Sequence, residues 1–93
     1  VDDRGRIDYD HLQELLANSD KKTLVSLMHA NNEIGTKQNL DRISVMCQEY
    51  NALFHSDTVQ TMGHFPISVE ETKISFLSGS AHKFHGPKGV GFI

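Results

Sequence analysis

The chain has 93 residues, of which nine are basic and twelve acidic, so its formal charge at pH 7 is −3. No basic run could neutralise a nucleic-acid backbone, no apolar stretch is long enough to cross a bilayer, and no signal-peptide pattern is present. We therefore expect neither a nucleic-acid partner nor a membrane. A single cysteine rules out an internal disulfide and favours a reducing, cytoplasmic location.

The first half of the sequence predicts a helix, a strand and a second helix. Residues 8–17 place leucines at helical spacing after an acidic first turn. Residues 23–28 (TLVSLM) form a nearly continuous apolar run, which is typical of a parallel strand covered on both faces. A polar break follows at 29–35, and an amphipathic helix is expected over about 40–50. Its apolar positions are Leu40, Ile43, Val45, Met46 and Cys47.

The second half predicts three further strands, at 52–55, 74–78 and 89–93, with a brief extended piece at 65–67. The alternation of strands and helices predicts an α/β fold with a mostly parallel sheet and flanking helices. The last two strands are joined by a short Gly/Pro-rich loop, so we expect them to be antiparallel neighbours. Because the chain starts at Val1 and stops inside a strand at Ile93, we expect part of a larger domain, truncated at both ends.

Polar side chains cluster at the carboxyl ends of the predicted strands. They are Asn31 and Asn32 after the first strand, Asp57 after the second, and Ser80, His82 and Lys83 after the third. Ligands of α/β sheets bind at this edge, so the three segments together indicate a ligand site.

Residues 78–83 (SGSAHK) have the composition of an anion site with a lysine beside it. Glycine and small side chains let backbone N–H groups approach an anion, and Ser80 and His82 add side-chain donors. Lys83 is suited to form a Schiff base with pyridoxal phosphate (PLP), provided that burial or a nearby cation lowers its pKa. The alternative is a solvated lysine after a turn.

The other two segments also allow two interpretations each. Asp57 can keep the pyridine nitrogen of PLP protonated, and Gln60 can donate to the phenolic oxygen of the ring. Asp57 can equally cap a helix over 58–62. Asn31 and Asn32 can contact a cofactor or a substrate carboxylate, or they can form Asx turns that lead to Gly35.

Three segments resemble the signatures of the cysteine desulfurases, a family of PLP enzymes. Residues 28–36 (MHANNEIGT) resemble the HANNEIGT signature, and 54–60 (FHSDTVQ) are similar to the HxDxxQ segment. Residues 78–91 (SGSAHKFHGPKGVG) resemble the PLP-lysine loop. The three occur in the family's order with family-like separations, and the resemblance covers essentially the whole chain.

The resemblance implies the large domain of the fold-type I PLP enzymes, in the class V aminotransferase group. Lys83 would hold PLP as a Schiff base and then move protons on the substrate. Asp57 would pair with the pyridine nitrogen, and Gln60 with the phenolic oxygen.

It also implies a phosphate site at Ser80 and His82, with Asn32 near the ring oxygen and the bound amino acid. The family reaction converts L-cysteine to L-alanine and passes the sulfur on as a persulfide for iron–sulfur cluster or thiocofactor assembly. A sulfur-acceptor or scaffold protein and a homodimeric parent are the implied partners. Two alternatives stay open: a selenocysteine lyase-like enzyme of the same group, or a non-catalytic structural fragment.

Several residues that the family uses are not among these 93. They are a catalytic cysteine and an arginine downstream of the PLP lysine, and a ring-stacking histidine and a phosphate-loop threonine upstream. Cys47 is a poor candidate for the nucleophile because it falls in the apolar register of a helix, where burial is expected. We therefore expect no desulfurase turnover from this chain by itself. The histidines lack zinc-binding spacing, so no metal site is expected.

Overall fold

Three short helices and a four-stranded sheet make up the computed structural model, which describes residues 1–93. The elements in chain order are α1 (Tyr9–Ala17), β1 (Leu24–Met28), α2 (Leu40–Glu49), β2 (Leu53–Asp57), α3 (Val69–Thr72), β3 (Phe76–Ser80), a 3₁₀ helix (Ala81–Phe84) and β4 (Gly91–Phe92). The strands lie in the order β1-β2-β3-β4, with β1, β2 and β3 parallel and β4 antiparallel to β3. The predicted α/β class and the antiparallel last pair are confirmed.

Each helix begins at a side chain that accepts a hydrogen bond from its first turn. Asp8 accepts from the amide of His11 at the start of α1, and Asn39 accepts from the amide of Arg42 at the start of α2. Such caps satisfy amide groups that have no partner within the helix. Sequence analysis missed α3 because four residues are too few to show a helical period. Its signal was Ser68 followed three residues later by Glu71, whose amide donates to the Ser68 hydroxyl.

The core lies between one face of the sheet and the helices. Its buried members are Leu16, Val25, Leu40, Ile43, Met46, Cys47, Phe54 and Ile74. Val25 and Phe54 are register partners on β1 and β2 and are both buried, whereas the preceding pair, Leu24 and Leu53, is 55% and 52% exposed. The expectation that β1 is covered on both faces is therefore wrong for these 93 residues. Successive side chains of a strand point to opposite faces, and the helices cover one of them.

Two further expectations needed correction. Val45 was predicted to face the core, but it is 54% exposed because α2 buries Ile43, Met46 and Cys47 on its inner side. The third strand is Phe76–Ser80 rather than 74–78. Pairing decides its bounds, since it is bonded to β2 at its start and to β4 at its end. An apolar run could not show that small polar residues continue the strand.

Ser56 provides a test of this packing, because its hydroxyl is buried and has no hydrogen-bond partner. A buried hydroxyl without a partner costs roughly 1–3 kcal/mol of desolvation. We expect Ser56→Ala to raise the free energy of unfolding by about 1 kcal/mol in urea denaturation.

Ser75→Ala is the matched control for this experiment. The Ser75 hydroxyl accepts a hydrogen bond from the amide of Phe54 at 3.1 Å, so its removal should lower the free energy of unfolding. Equal destabilisation by the two variants would contradict the packing described for Ser56.

Candidate active site

The carboxyl ends of β1, β2 and β3 meet at one edge of the sheet. Met28 pairs with Asp57, and Asp57 pairs with Ser78. The hydrogen bonding continues beyond the strands, because the amide of His29 donates to the Asp57 carbonyl at 2.8 Å and the amide of Thr58 donates to the Ser78 carbonyl at 2.9 Å. Asp57 therefore lies at the middle of this edge, with one predicted site segment on either side.

The segment after β1 is a closed turn. The side-chain oxygen of Asn31 accepts from the amides of Glu33 at 2.8 Å and Ile34 at 3.3 Å, and the amide of Gly35 donates to the Asn31 carbonyl. Asn31 thus forms the Asx turn that the sequence allowed. Asn32 is exposed, and its amide nitrogen donates to the Glu33 carboxylate at 2.9 Å. The structure forms no hydrogen bond between Asn32 and the other predicted site residues.

The segment after β2 is a turn and not the helix considered above. The amides of Thr61 and Met62 both donate to the Thr58 carbonyl, at 2.9 and 2.8 Å. One carboxylate oxygen of Asp57 accepts from the amide of Val59 at 2.9 Å, as a cap does. Its second oxygen and the side-chain amide of Gln60 form no hydrogen bond within the chain and are free to bind a ligand.

The segment after β3 differs from the predicted loop. Ser80 is still in the strand, and His82 and Lys83 lie on the 3₁₀ helix that follows it. The Ser80 hydroxyl and Nδ1 of His82 are 2.9 Å apart, so two hydrogen-bonding groups sit together beside the strand end. Lys83 is exposed, and its ammonium group forms no ion pair.

The turn after β2 touches the 3₁₀ helix of Lys83. Nε2 of His64 donates to the Lys83 carbonyl at 2.8 Å. Gly63 has a φ of +79°, and a Cβ atom there would lie only 2.7 Å from Cβ of Phe84. His64 was not predicted to contribute to this edge, and the glycine was the available sign of a close approach. The Asp57 and Lys83 segments are therefore in direct contact, through the His64 side chain on the Lys83 carbonyl and through the Phe84 side chain against Gly63.

His29 is the most buried ionisable side chain near this edge, with 6% of its surface exposed. Its Nδ1 lies 2.8 Å from the hydroxyl of Thr61. Burial lowers the pKa of His29 below its ordinary value of 6.5, and the charge of Lys37 lowers it further, while Asp41 opposes the shift. His29 also lines a groove of about 340 Å³ that none of the six predicted cofactor residues lines.

The depressed pKa of His29 predicts a loss of stability in acid. Below about pH 6.5 the unfolded chain takes up a proton at His29 more readily than the folded chain, so the free energy of unfolding falls with pH. His29→Asn has no such proton. As the pH falls from about 7.5 to about 5.5, we expect the free energy of unfolding to decrease more for the protein than for His29→Asn, as measured by urea denaturation.

Lys37→Gln is a second check, because it removes one of the two causes that lower the pKa of His29. The acid-induced loss should be smaller in this variant. A stability difference between the protein and His29→Asn that stays constant over this pH range would contradict the assignment.

Cys47 is buried in the core with 1% of its surface exposed, as the sequence predicted. Burial raises the pKa of its thiol to about 11. The thiolate is the reactive form, and its fraction at pH 8 is roughly a hundred times smaller than at the ordinary pKa of 9.0. Cys47 is therefore a packing residue and not a nucleophile.

We expect Cys47 of the folded chain to resist a thiol reagent such as dithiobis(nitrobenzoate) at pH 8, and to react completely within minutes in concentrated urea. The absorbance of the released thiolate measures both rates. Rapid reaction in the folded chain would show that the core around α2 opens.

No group of three or more His, Cys, Asp or Glu side chains is arranged to hold a metal ion. None of the helices combines the length and the apolar character that crossing a membrane requires.

The fold and this edge define an α/β protein whose site is assembled from the segments after three adjacent parallel strands. All 93 residues match the family model of the class V aminotransferases, and the chain belongs to that family. Enzymes of this family depend in general on PLP.

The relatives include cysteine desulfurases, which confirms the resemblance found in the sequence. The chain is 50% identical over 93 residues to the cysteine desulfurase IscS of Dictyoglomus turgidum, covering 100% of this chain and 23% of that protein. Its structure superposes on a NifS-like protein from Rickettsia africae with a TM-score of 0.94 and 41% identity, over 98% of this chain and 26% of that one. Against SspA in complex with cysteine the TM-score is 0.85 and the identity 35%, over 95% and 25% of the two chains. The chain thus spans about a quarter of the length of these relatives.

Proposed function

We propose that this chain is part of the PLP-binding (large) domain of a cysteine desulfurase, and that it supplies the lysine that carries the cofactor. The observation that carries the proposal is the position of Asp57. It ends the strand between β1 and β3, and the turn that follows it is bonded to the Lys83 carbonyl through His64. An acid at the middle of such an edge, beside a lysine, is the pair of groups that PLP chemistry requires.

The chemistry of the available groups fits PLP. The cofactor has a ring nitrogen that needs an acid, a phenolic oxygen that needs a donor, and a phosphate that needs several donors. Asp57 has a carboxylate oxygen without a partner, and the amide of Gln60 is uncommitted. Ser80 and His82 already stand 2.9 Å apart and can both turn toward an anion. Each requirement would be met by a residue of the same sheet edge.

When bound, PLP withdraws electrons from the α-carbon of an amino-acid substrate. The amine of Lys83 would hold the cofactor and move a proton at the α-carbon, which requires its neutral form. The carboxylate of Asp57 would keep the ring nitrogen protonated, and Gln60 would donate to the phenolic oxygen. Lys83 is exposed in these 93 residues, so the burial that favours its neutral form would have to come from the bound cofactor and the rest of the proposed domain.

The remaining predicted residues would bind the phosphate and orient the bound amino acid. Ser80 and His82 would hold the phosphate through their hydroxyl and ring N–H groups, and Asn32 would lie near the ring oxygen and the bound amino acid. For Asn32 this requires that its hydrogen bond to Glu33 opens, because the side chain is engaged there in the structure.

The proposed substrate is L-cysteine, which would leave as L-alanine while its sulfur passes to a cysteine as a persulfide. Cys47 cannot accept it because of its burial, so the acceptor lies outside these residues. The solved complex of SspA with cysteine is consistent with this substrate. A sulfur-acceptor or scaffold protein, a homodimer and a cytoplasmic location complete the proposal.

Borohydride reduction of the chain after incubation with PLP tests the cofactor assignment. We expect a pyridoxyl adduct on Lys83, located by peptide mass mapping, and its loss in Lys83→Ala. Lys88→Ala is the matched control, since Lys88 is also exposed and lies five residues along the same segment. Circular dichroism checks that all three chains are folded. Equal labelling of Lys83, Lys88 and other lysines in a folded chain would contradict a cofactor site at this edge.

A further inference from the structure

His29 is bonded to both ends of the segment that carries Asp57 and Gln60. Its backbone amide donates to the Asp57 carbonyl at 2.8 Å, and its ring nitrogen Nδ1 lies 2.8 Å from the Thr61 hydroxyl. Its own carbonyl accepts from the amide of Gln38 at 2.8 Å, which fixes His29 in turn. One buried residue after β1 therefore holds the start and the end of the turn after β2.

The opposite side of this turn is fixed by Thr58. Its amide and its hydroxyl both donate to the Ser78 carbonyl of β3, at 2.9 and 2.8 Å. Thr58 and Thr61 are both fully buried, so neither hydroxyl can exchange its partner for water. The turn is thus held between β1 and β3, and the bond of His29 to Thr61 is its only side-chain hydrogen bond to the β1 side.

The hydroxyl of Thr61 has two polar neighbours, Nδ1 of His29 at 2.8 Å and the Thr58 carbonyl at 3.3 Å. The contact to the imidazole is the shorter one, and it can form with either ring tautomer because a hydroxyl both donates and accepts. An apolar residue of similar size at position 29 would fill the space but would remove this partner from the buried Thr61 hydroxyl.

The orientation of Asp57 and Gln60 depends on the backbone of this turn. Asp57 is fixed by the amide of Val59, a residue of the turn, and Gln60 has no side-chain hydrogen bond of its own. Any change in the turn would therefore redirect both side chains at once.

We propose that His29 is a positioning residue of the candidate site, which acts through the hydrogen bond between its Nδ1 and the Thr61 hydroxyl to hold the turn that presents Asp57 and Gln60. That this site binds PLP rests on the proposed function, whereas the effect of His29 on the turn does not. His29 itself need not touch the cofactor.

Hydrogen exchange of the turn amides tests the proposal in the chain without cofactor. Thr61→Val and His29→Leu each remove the bond and keep similar volume, while Thr61→Ser and His29→Asn each keep a group that can form it. We expect the first pair to speed exchange of the Val59 and Met62 amides about tenfold, or about 1.4 kcal/mol, with the amides of α2 unchanged. The second pair should restore the slow rates. The double variant with Leu and Val should exchange no faster than Thr61→Val alone, because Thr61→Val already removes the bond to His29.

Unchanged Val59 and Met62 rates in Thr61→Val, equal acceleration of the α2 amides, or no rescue by His29→Asn would each overturn the proposal.

PLP binding gives the second measurement, by reductive trapping on Lys83 in the same five chains and in the unchanged protein. We expect less trapping in His29→Leu and Thr61→Val than in the unchanged protein. Trapping should recover in His29→Asn and Thr61→Ser. If the unchanged protein is not trapped at Lys83 while the exchange pattern holds, the cofactor assignment fails and the hold of His29 on the turn stands. Trapping at Lys83 that is equal in all chains would reject the positioning role alone.

Discussion

Met28, Asp57 and Ser78 lie side by side because β1, β2 and β3 pair in parallel in one register. Parallel pairing sends the three following segments out of the same edge, which is why residues far apart in the sequence meet there. The register also decides which face each side chain takes, since a shift by one residue exchanges the two faces of a strand. Such a shift in β2 would turn Asp57 toward α2 and bring Ser56 out of the core. The candidate site therefore depends first on the register of the strands, which brings its residues together.

The edge is held by several modest hydrogen bonds. Thr58 ties the central turn to β3, His29 ties it to β1, and His64 ties it to the 3₁₀ helix of Lys83. The ion pair between Arg6 and Asp2 is near the start of the chain and contributes nothing here. Hydrogen bonds of this kind contribute about 1 kcal/mol each, so the loss of one loosens the edge without unfolding the sheet.

Local patterns were sufficient for α1, α2 and the four strands in their chain order. Leucine spacing predicted α1 and α2, apolar runs predicted the strands, and the short Gly/Pro-rich connection predicted that β4 turns back on β3. Two predictions were wrong, namely the bounds of β3 and the coverage of both sheet faces, which Leu24 and Leu53 contradict. Both depend on how the strands pair and pack in three dimensions. The four-residue helix α3 was too short for a period to show.

The features of the candidate site likewise divide into those that adjacent residues encode and those that distant residues form. The position of Asp57 at a strand end and the Asx turn of Asn31 follow from residues adjacent in sequence. The bonds of His29 to Thr61 and of His64 to Lys83 join residues 32 and 19 positions apart, and no short motif encodes them. A buried histidine gives no sign of its partner in the sequence. The polar groups that fix the edge could therefore be found only in three dimensions.

The uncovered face of the sheet has a thermodynamic consequence. Leu24, Leu53 and Phe76 are about half in water while the chain is folded, so unfolding adds less apolar surface than the apolar content of the strands implies. The heat capacity change of unfolding scales with that added surface, and so does the sensitivity to denaturant. These 93 residues should accordingly have a shallow stability curve, with a broad melting transition and little difference in stability between cold and warm conditions.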